Sequence, residues 1–115
     1  MKLKSLFVFF VVLGPVAAFA QTTVEMKEQA AVRLEKSDKA MNGAYQQLIK
    51  VLNEEGVKRL KDTQRAWIVY RDAQASFDCH QLAGGTMEGL EQLGSLDLLT
   101  KERTKRLKED FERFK

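Results

Sequence analysis

Apolar positions recur along most of this chain with a helical period. Between residues 22 and 53, Ala31, Leu34, Met41, Tyr45, Leu48, Ile49 and Leu52 fall largely at spacings of three, four and seven, which places them on one stripe of a long helix. Thr22-Thr23-Val24-Glu25 opens that segment with a hydroxyl and a carboxylate suited to capping free backbone amides. Asn53-Glu54-Glu55-Gly56 interrupts it, and Gly56 suits a helix end or a left-handed conformation. A second stripe, Val57, Leu60, Trp67, Ile68, Tyr70, Ala75 and Phe77, then runs free of Pro and Gly as far as Gly84-Gly85. With so short a connection, the two helices must fold back on each other as an antiparallel hairpin. Beyond the glycines, Thr86 can cap a short segment holding Met87, Leu90 and Leu93, and a last helix carries Leu96, Thr100, Thr104, Leu107, Phe111 and Phe114. No segment alternates with period two for long enough to argue a strand. The pattern predicts an all-α fold: a long antiparallel helical hairpin with a short helix and a C-terminal helix packed on it.

Polar residues interrupt these stripes at matching places. Asp38 falls between Leu34, Tyr45 and Ile49 on the first helix, while Gln64 and Arg71 fall beside Leu60 and Trp67 on the second. If the hairpin turns between Glu54 and Glu55, positions whose numbers sum to about 109 lie opposite each other. Asp38 then meets Arg71, Tyr45 meets Gln64, and Ile49 meets Leu60. A lone charge in an apolar seam is costly, but a hydrogen-bonded Asp–Arg pair offsets much of that cost and sets the register of the two helices. The reading is a structural seam of Asp38, Tyr45, Gln64, Trp67 and Arg71, in which Tyr45 and Gln64 share a hydrogen bond. The alternative is that Arg71 reaches a ligand or partner. Trp67 and Tyr70 are assigned to the core, although their spacing serves an aromatic contact surface equally well. Lys105, Arg106, Lys108 and Glu109 read as a solvated helix face.

The N-terminus changes the picture of charge. Lys2 and Lys4 precede the apolar run Leu6 to Leu13, a Gly14-Pro15 break and the small-residue pattern Ala18-Phe19-Ala20. That is the form of a secretory signal peptide over residues 1–20, cleaved before Gln21, and the apolar stretch is shorter than the roughly 20 residues that span a bilayer. The remaining chain, residues 21–115, suits one domain without a stable membrane span. Of the 19 Lys and Arg residues, Lys2 and Lys4 leave with the leader, so 17 basic side chains stand against 16 acidic ones. A charge this close to neutral provides no field for nucleic acid, which is set aside as a partner. Export leads to a periplasmic or secreted location.

Cys79 is the only cysteine in the chain, so no internal disulfide can form. It reads either as a small buried apolar residue or as the half of an intermolecular bridge. The only histidine, His80, is adjacent to it and so projects about 100° away on a helix, which aims the two at different points. Neither a metal site nor a Cys–His catalytic pair is supported. Phosphate loops, nucleophile elbows and zinc-protease motifs do not occur, and no cofactor is implied. Carboxylates are numerous enough that counting alone leaves a two-acid glycosidase open, but a helical hairpin offers little of the deep cleft that such chemistry needs. The expectation is a protein that binds rather than an enzyme.

The run Leu60-Lys61-Asp62-Thr63-Gln64-Arg65-Ala66-Trp67-Ile68-Val69-Tyr70-Arg71-Asp72 carries a further signal. It is preceded by Asp38, Asn42, Tyr45 and Leu48, and followed by Gly84-Gly85-Thr86-Met87 and Leu99-Thr100-Lys101-Glu102-Arg103-Thr104. Together these residues resemble the LprI-like lysozyme-inhibitor family, with Gln-Arg-Ala-Trp followed by Tyr-Arg-Asp as the most specific part. The resemblance implies a small, exported, mostly helical bacterial protein and, from the family's namesake, inhibition of lysozyme. It also implies cysteines near Ala75 and Ser95 that could staple the second helix to the segment after it, and this chain lacks them.

The expected activity is therefore binding to lysozyme or a related muramidase so as to block its cleft. His80, Gly84, Gly85, Thr86 and Met87 form the candidate inhibitory loop, because paired glycines allow a tight projecting turn next to a polar side chain. An envelope interaction or structural module that binds another periplasmic protein is the alternative, and homo-oligomerisation stays open.

Overall fold

The computed structural model describes residues 15–82 and 85–115, with side chains described for 22–81, 85 and 87–115. The elements are α1 (Pro15–Ile49), α2 (Glu54–Leu82), a short 3-10 turn (Gly85–Met87) and α3 (Glu88–Phe114). The fold is all-α, and no strand occurs among the described residues. None of the described helices is long and apolar enough to cross a membrane.

The ends of these helices differ from the expected ones in instructive ways. The leader expectation falls on residues 1–14, outside the described residues, and on 15–20, which form the start of α1. Thr22 and Thr23 therefore lie inside α1 rather than at its cap, because the alanine-rich residues before them are good helix formers and a Pro is tolerated at a first helical position. At the first turn, Val51 N donates to Leu48 O (3.1 Å) and Leu52 N to Ile49 O (3.3 Å), tightening the end of α1. Asn53 then caps α2: its Oδ1 accepts from Gly56 N (2.8 Å) and its carbonyl from Val57 N (2.9 Å). Gly56 is thus in the first turn of α2, not the end of α1. A Cβ there would stand 3.2 Å from both Asn53 Oδ1 and Leu52 Cβ, so the absent side chain lets the chain turn closely.

Gly85 has φ +58°, the left-handed conformation that glycine adopts without a Cβ penalty. The cap position of the next helix does not fall on Thr86. Met87 occupies the cap position of α3 without a side-chain hydrogen bond, and Glu88 and Glu91 instead place carboxylates near the free amides of the first turn. The expected short helix and last helix are one continuous element. Gly94, the only breaker between them, is exposed and a single glycine is tolerated in a helix at a cost of about 1 kcal/mol.

The chain folds back at residues 50–53, and α3 packs along both α1 and α2, most closely along α1. Residue pairing shows the directions: Ser37 meets Asp97 and Met41 to Leu48 flank Leu107, so α1 and α3 run parallel. Arg103 meets Gln64 and Glu88 meets Cys79, so α2 is antiparallel to α3. The main buried cluster consists of Met41, Ala44 and Leu48 from α1, Leu60 from α2 and Leu107 from α3, flanked by half-buried Tyr45, Ile49, Trp67 and Phe111.

On α1 the inward residues are Ala30, Leu34, Ser37, Met41, Ala44 and Leu48, alternating four and three apart as in a coiled-coil seam. Ala30 is buried and the expected Ala31 is exposed, because this seam is narrower than the stripe read from hydrophobicity. On α2, Tyr70 is 54% exposed and Phe77 60% exposed, which corrects their assignment to the core. They stand on the far side of α2 from α3, where no other described element covers them.

Candidate functional site

Two arginines, one from α2 and one from α3, converge on Trp67, which is half-buried beside the core. Arg71 lies one turn further along α2 and holds its guanidinium 5.4 Å from the Trp67 ring centroid, while Arg103 of α3 lies 5.9 Å from the same centroid. Arg71 Nη1 is 3.3 Å from Asp38 Oδ1 and 3.5 Å from Thr100 Oγ1, and Arg71 Nε donates to Asp72 Oδ1 at 3.0 Å. One guanidinium thus joins α1, α2 and α3. Its side chain is only 17% exposed, but that of Asp38 is 41% exposed, so water reaches the carboxylate.

Tyr45 and Gln64 line one groove between α1 and α2, together with Met41, Lys61 and Ile68. They do not share the expected hydrogen bond. Gln64 Nε2 donates to Met41 Sδ (3.5 Å), and Gln64 Oε1 accepts from Arg103 Nε (2.9 Å). The reason is the third helix: a charged donor makes a stronger bond than a phenol, and Arg103 arrives from the side that two-helix arithmetic leaves empty. Burial lowers the Arg103 guanidinium from its ordinary value, and nearby Asp110 opposes that shift. Arg103 and Thr100 are seam residues that pairing the first two helices alone misses. Their signal is present in the sequence, since residues 100, 103, 104 and 107 share one face of α3, with a charge among apolar and hydroxyl side chains.

A second polar link ties α1 to α3. Ser37, buried at an inward position of α1, donates its hydroxyl to Asp97 Oδ1, and Lys101 Nζ lies 2.8 Å from Asp97 Oδ2. Burial pushes the Asp97 carboxyl up, but the hydrogen bonds from Lys101 and Ser37 and the charges of Lys101 and Arg33 outweigh it and hold the pKa below the usual carboxylate range. A carboxyl whose pKa is lower when folded binds fewer protons folded than unfolded. Its contribution is therefore fully present above the ordinary carboxylate pKa of about 4 and is lost as pH falls through the depressed value. In urea unfolding, the stability gap between the wild type and Asp97→Asn is expected to be widest near neutral pH and to shrink below about pH 4. A gap that widened on acidification would contradict the placement.

The segment after α2 divides into different environments. His80 is exposed in the last turn of α2, Gly85 is exposed in the left-handed turn, and Met87 is half-buried. Gly84 lies outside the described residues, and Thr86 is described only as part of the 3-10 turn. Cys79 is buried, with Sγ donating to Ser76 O (3.2 Å) and lying 3.8 Å from Glu88 Oε1. Burial, and after it the Glu88 carboxylate, push the thiol pKa up. A protonated, enclosed thiol fits the reading of Cys79 as a small core residue and not that of an intermolecular bridge. Among the described residues, no group of three or more His, Cys, Asp or Glu could hold a metal ion.

The family model described as lysozyme inhibitor LprI matches residues 16–107. An uncharacterized protein of Rhizobium meliloti (strain 1021) is 45% identical over 53 residues, which cover 46% of this chain and 38% of that relative. The match thus spans about two fifths of the relative's length. No solved structure matches the chain.

Proposed function

Because the chain belongs to the lysozyme inhibitor LprI family, we propose that it is an exported protein that binds lysozyme or a related peptidoglycan muramidase and blocks its cleft. In this reading residues 1–20 are a leader cleaved before Gln21, and residues 21–115 act in the periplasm as one helical domain. The observation that carries the proposal is the family match across nearly the whole of that domain. The turn joining α2 to α3 is the segment proposed to enter the cleft. Exposed His80 and the left-handed Gly85 give it a polar side chain beside a tight bend, while Cys79 and Met87 anchor its two ends in the bundle. Chemistry is assigned to the enzyme alone, and occupation of the cleft is the whole mechanism.

The deciding measurement is cell-wall hydrolysis by lysozyme in the presence of the purified, exported chain. A rate that falls in proportion to added protein is expected, and an undiminished rate at large molar excess would remove the proposal. His80→Ala should weaken inhibition while leaving the fold intact, since the side chain is exposed.

A second reading, an envelope module that binds another protein, draws on the uncovered apolar face of α2. Recovery from envelope extract of a stable partner other than a muramidase would favour it.

A further inference from the structure

We infer that the outer face of α2 is a dimerisation surface, on which a second copy of this chain packs its own α2 in antiparallel orientation. At about 100° per residue, Ala66, Val69, Tyr70, Ala73 and Phe77 project within one arc of α2, opposite the side that carries Leu60, Gln64 and Arg71 into the bundle. All five are exposed, with Val69 at 71%, Tyr70 at 54% and Phe77 at 60%. Three turns of uninterrupted apolar surface next to water are unusual for a helix that already has a buried face.

The pattern within this arc says what covers it. Two small side chains, Ala66 and Ala73, lie seven residues apart, and two large ones, Tyr70 and Phe77, lie seven apart at an offset of four. When two copies of α2 run antiparallel about a two-fold axis between Arg71 and Asp72, Phe77 of each copy falls on Ala66 of the other. Tyr70 likewise falls on Ala73. Each ring then has a methyl-sized site to fill, and every contact occurs twice, as an isologous interface requires. Parallel pairing would set ring against ring and alanine against alanine, leaving gaps at one level and crowding at the other.

The polar residues at the ends of the arc agree with the antiparallel register. The arc is flanked by Asp62 at one end and His80 at the other, both exposed, and the same two-fold axis brings Asp62 of one copy opposite exposed Gln81, the neighbour of His80, of the second, where an amide can donate to the carboxylate. One helix face buries much less than the roughly 800 Å² per partner of a standard interface, so the association is reversible and depends on concentration.

The test is sedimentation equilibrium of the exported chain, purified from periplasmic extract, between about 10 and 500 µM, the range where a weak dimer forms and dissociates. A monomer–dimer equilibrium is expected. Ala66→Glu and Phe77→Ala should each weaken it at least about tenfold, with circular dichroism and thermal unfolding unchanged because both positions are exposed. Ala66→Phe alone should weaken it by setting ring against ring. Combining Ala66→Phe with Phe77→Ala exchanges the large and small sites and should restore much of the association that either change removes. The proposal is overturned if the wild type stays monomeric throughout, if the single variants associate like the wild type, or if the exchanged pair is weaker than both single variants. Unchanged dimerisation with lost lysozyme inhibition in Phe77→Ala would also overturn it, by assigning the face to the enzyme.

Discussion

Leu107→Ala is expected to destabilise the protein by about 3 kcal/mol, which for a domain of this size lowers the midpoint of thermal unfolding by more than about 10 °C. Leu107 is 0% exposed and sits where all three helices meet, against Met41, Ala44 and Leu48 of α1 and Leu60 of α2. Truncation removes the transfer free energy of the side chain and leaves a cavity walled by three helices, which cannot collapse without separating at least one pair of them. Leu98→Ala supplies the control. It removes the same atoms from the same helix, but Leu98 is 59% exposed, and a change within about 0.5 kcal/mol is expected. Equal effects at the two positions in chemical denaturation would mean that the core is not where Leu107 places it.

Arg71→Ala comes second, with an expected loss of about 2 kcal/mol. The guanidinium bridges Asp38 and Asp72 and lies over Trp67, so the substitution removes two ion pairs, a cation–π contact and the apolar stem that covers the indole. Breaking a fully buried pair would cost about 3 to 5 kcal/mol, but Asp38 keeps 41% of its side-chain surface in water and is left solvated, not stranded. Asp38→Ala should therefore cost less, about 1 kcal/mol, because Arg71 retains Asp72 and Thr100. Arg71→Lys keeps the charge but loses the planar fork that reaches two carboxylates, so it should fall between wild type and alanine. The double change Asp38→Leu with Arg71→Met is expected to cost less than the sum of the two alanine substitutions, since no unpaired charge remains beside the core. Full thermal stability of Arg71→Ala together with lost partner binding would instead place Arg71 on the functional surface.

These residues also mark the boundary between what a linear reading reaches and what needs the folded chain. The helices themselves are local: spacings of three and four between apolar residues, and the breaks near residues 53 and 85, act over one or two turns, so the amino-acid pattern alone dictates that the protein is helical and in which two regions its chain turns, but not which residues cap the helices. Asp38 comes opposite Arg71 for an equally simple reason, since a short turn between two helices leaves only one register to compute. What α3 covers is a different matter. Apolar residues lie on two opposite sides of α2, with Leu60 and Ala75 on one and Val69, Tyr70 and Phe77 on the other, so periodicity cannot choose the buried side. Only the docking of α3 decides it, leaving Tyr70 and Phe77 in water and bringing Arg103 to Gln64 in place of Tyr45. The same docking selects Ala30 over Ala31 and buries Ser37, Thr100 and Thr104, because close approach of α1 and α3 rewards small side chains at the contact over hydrophobic ones beside it.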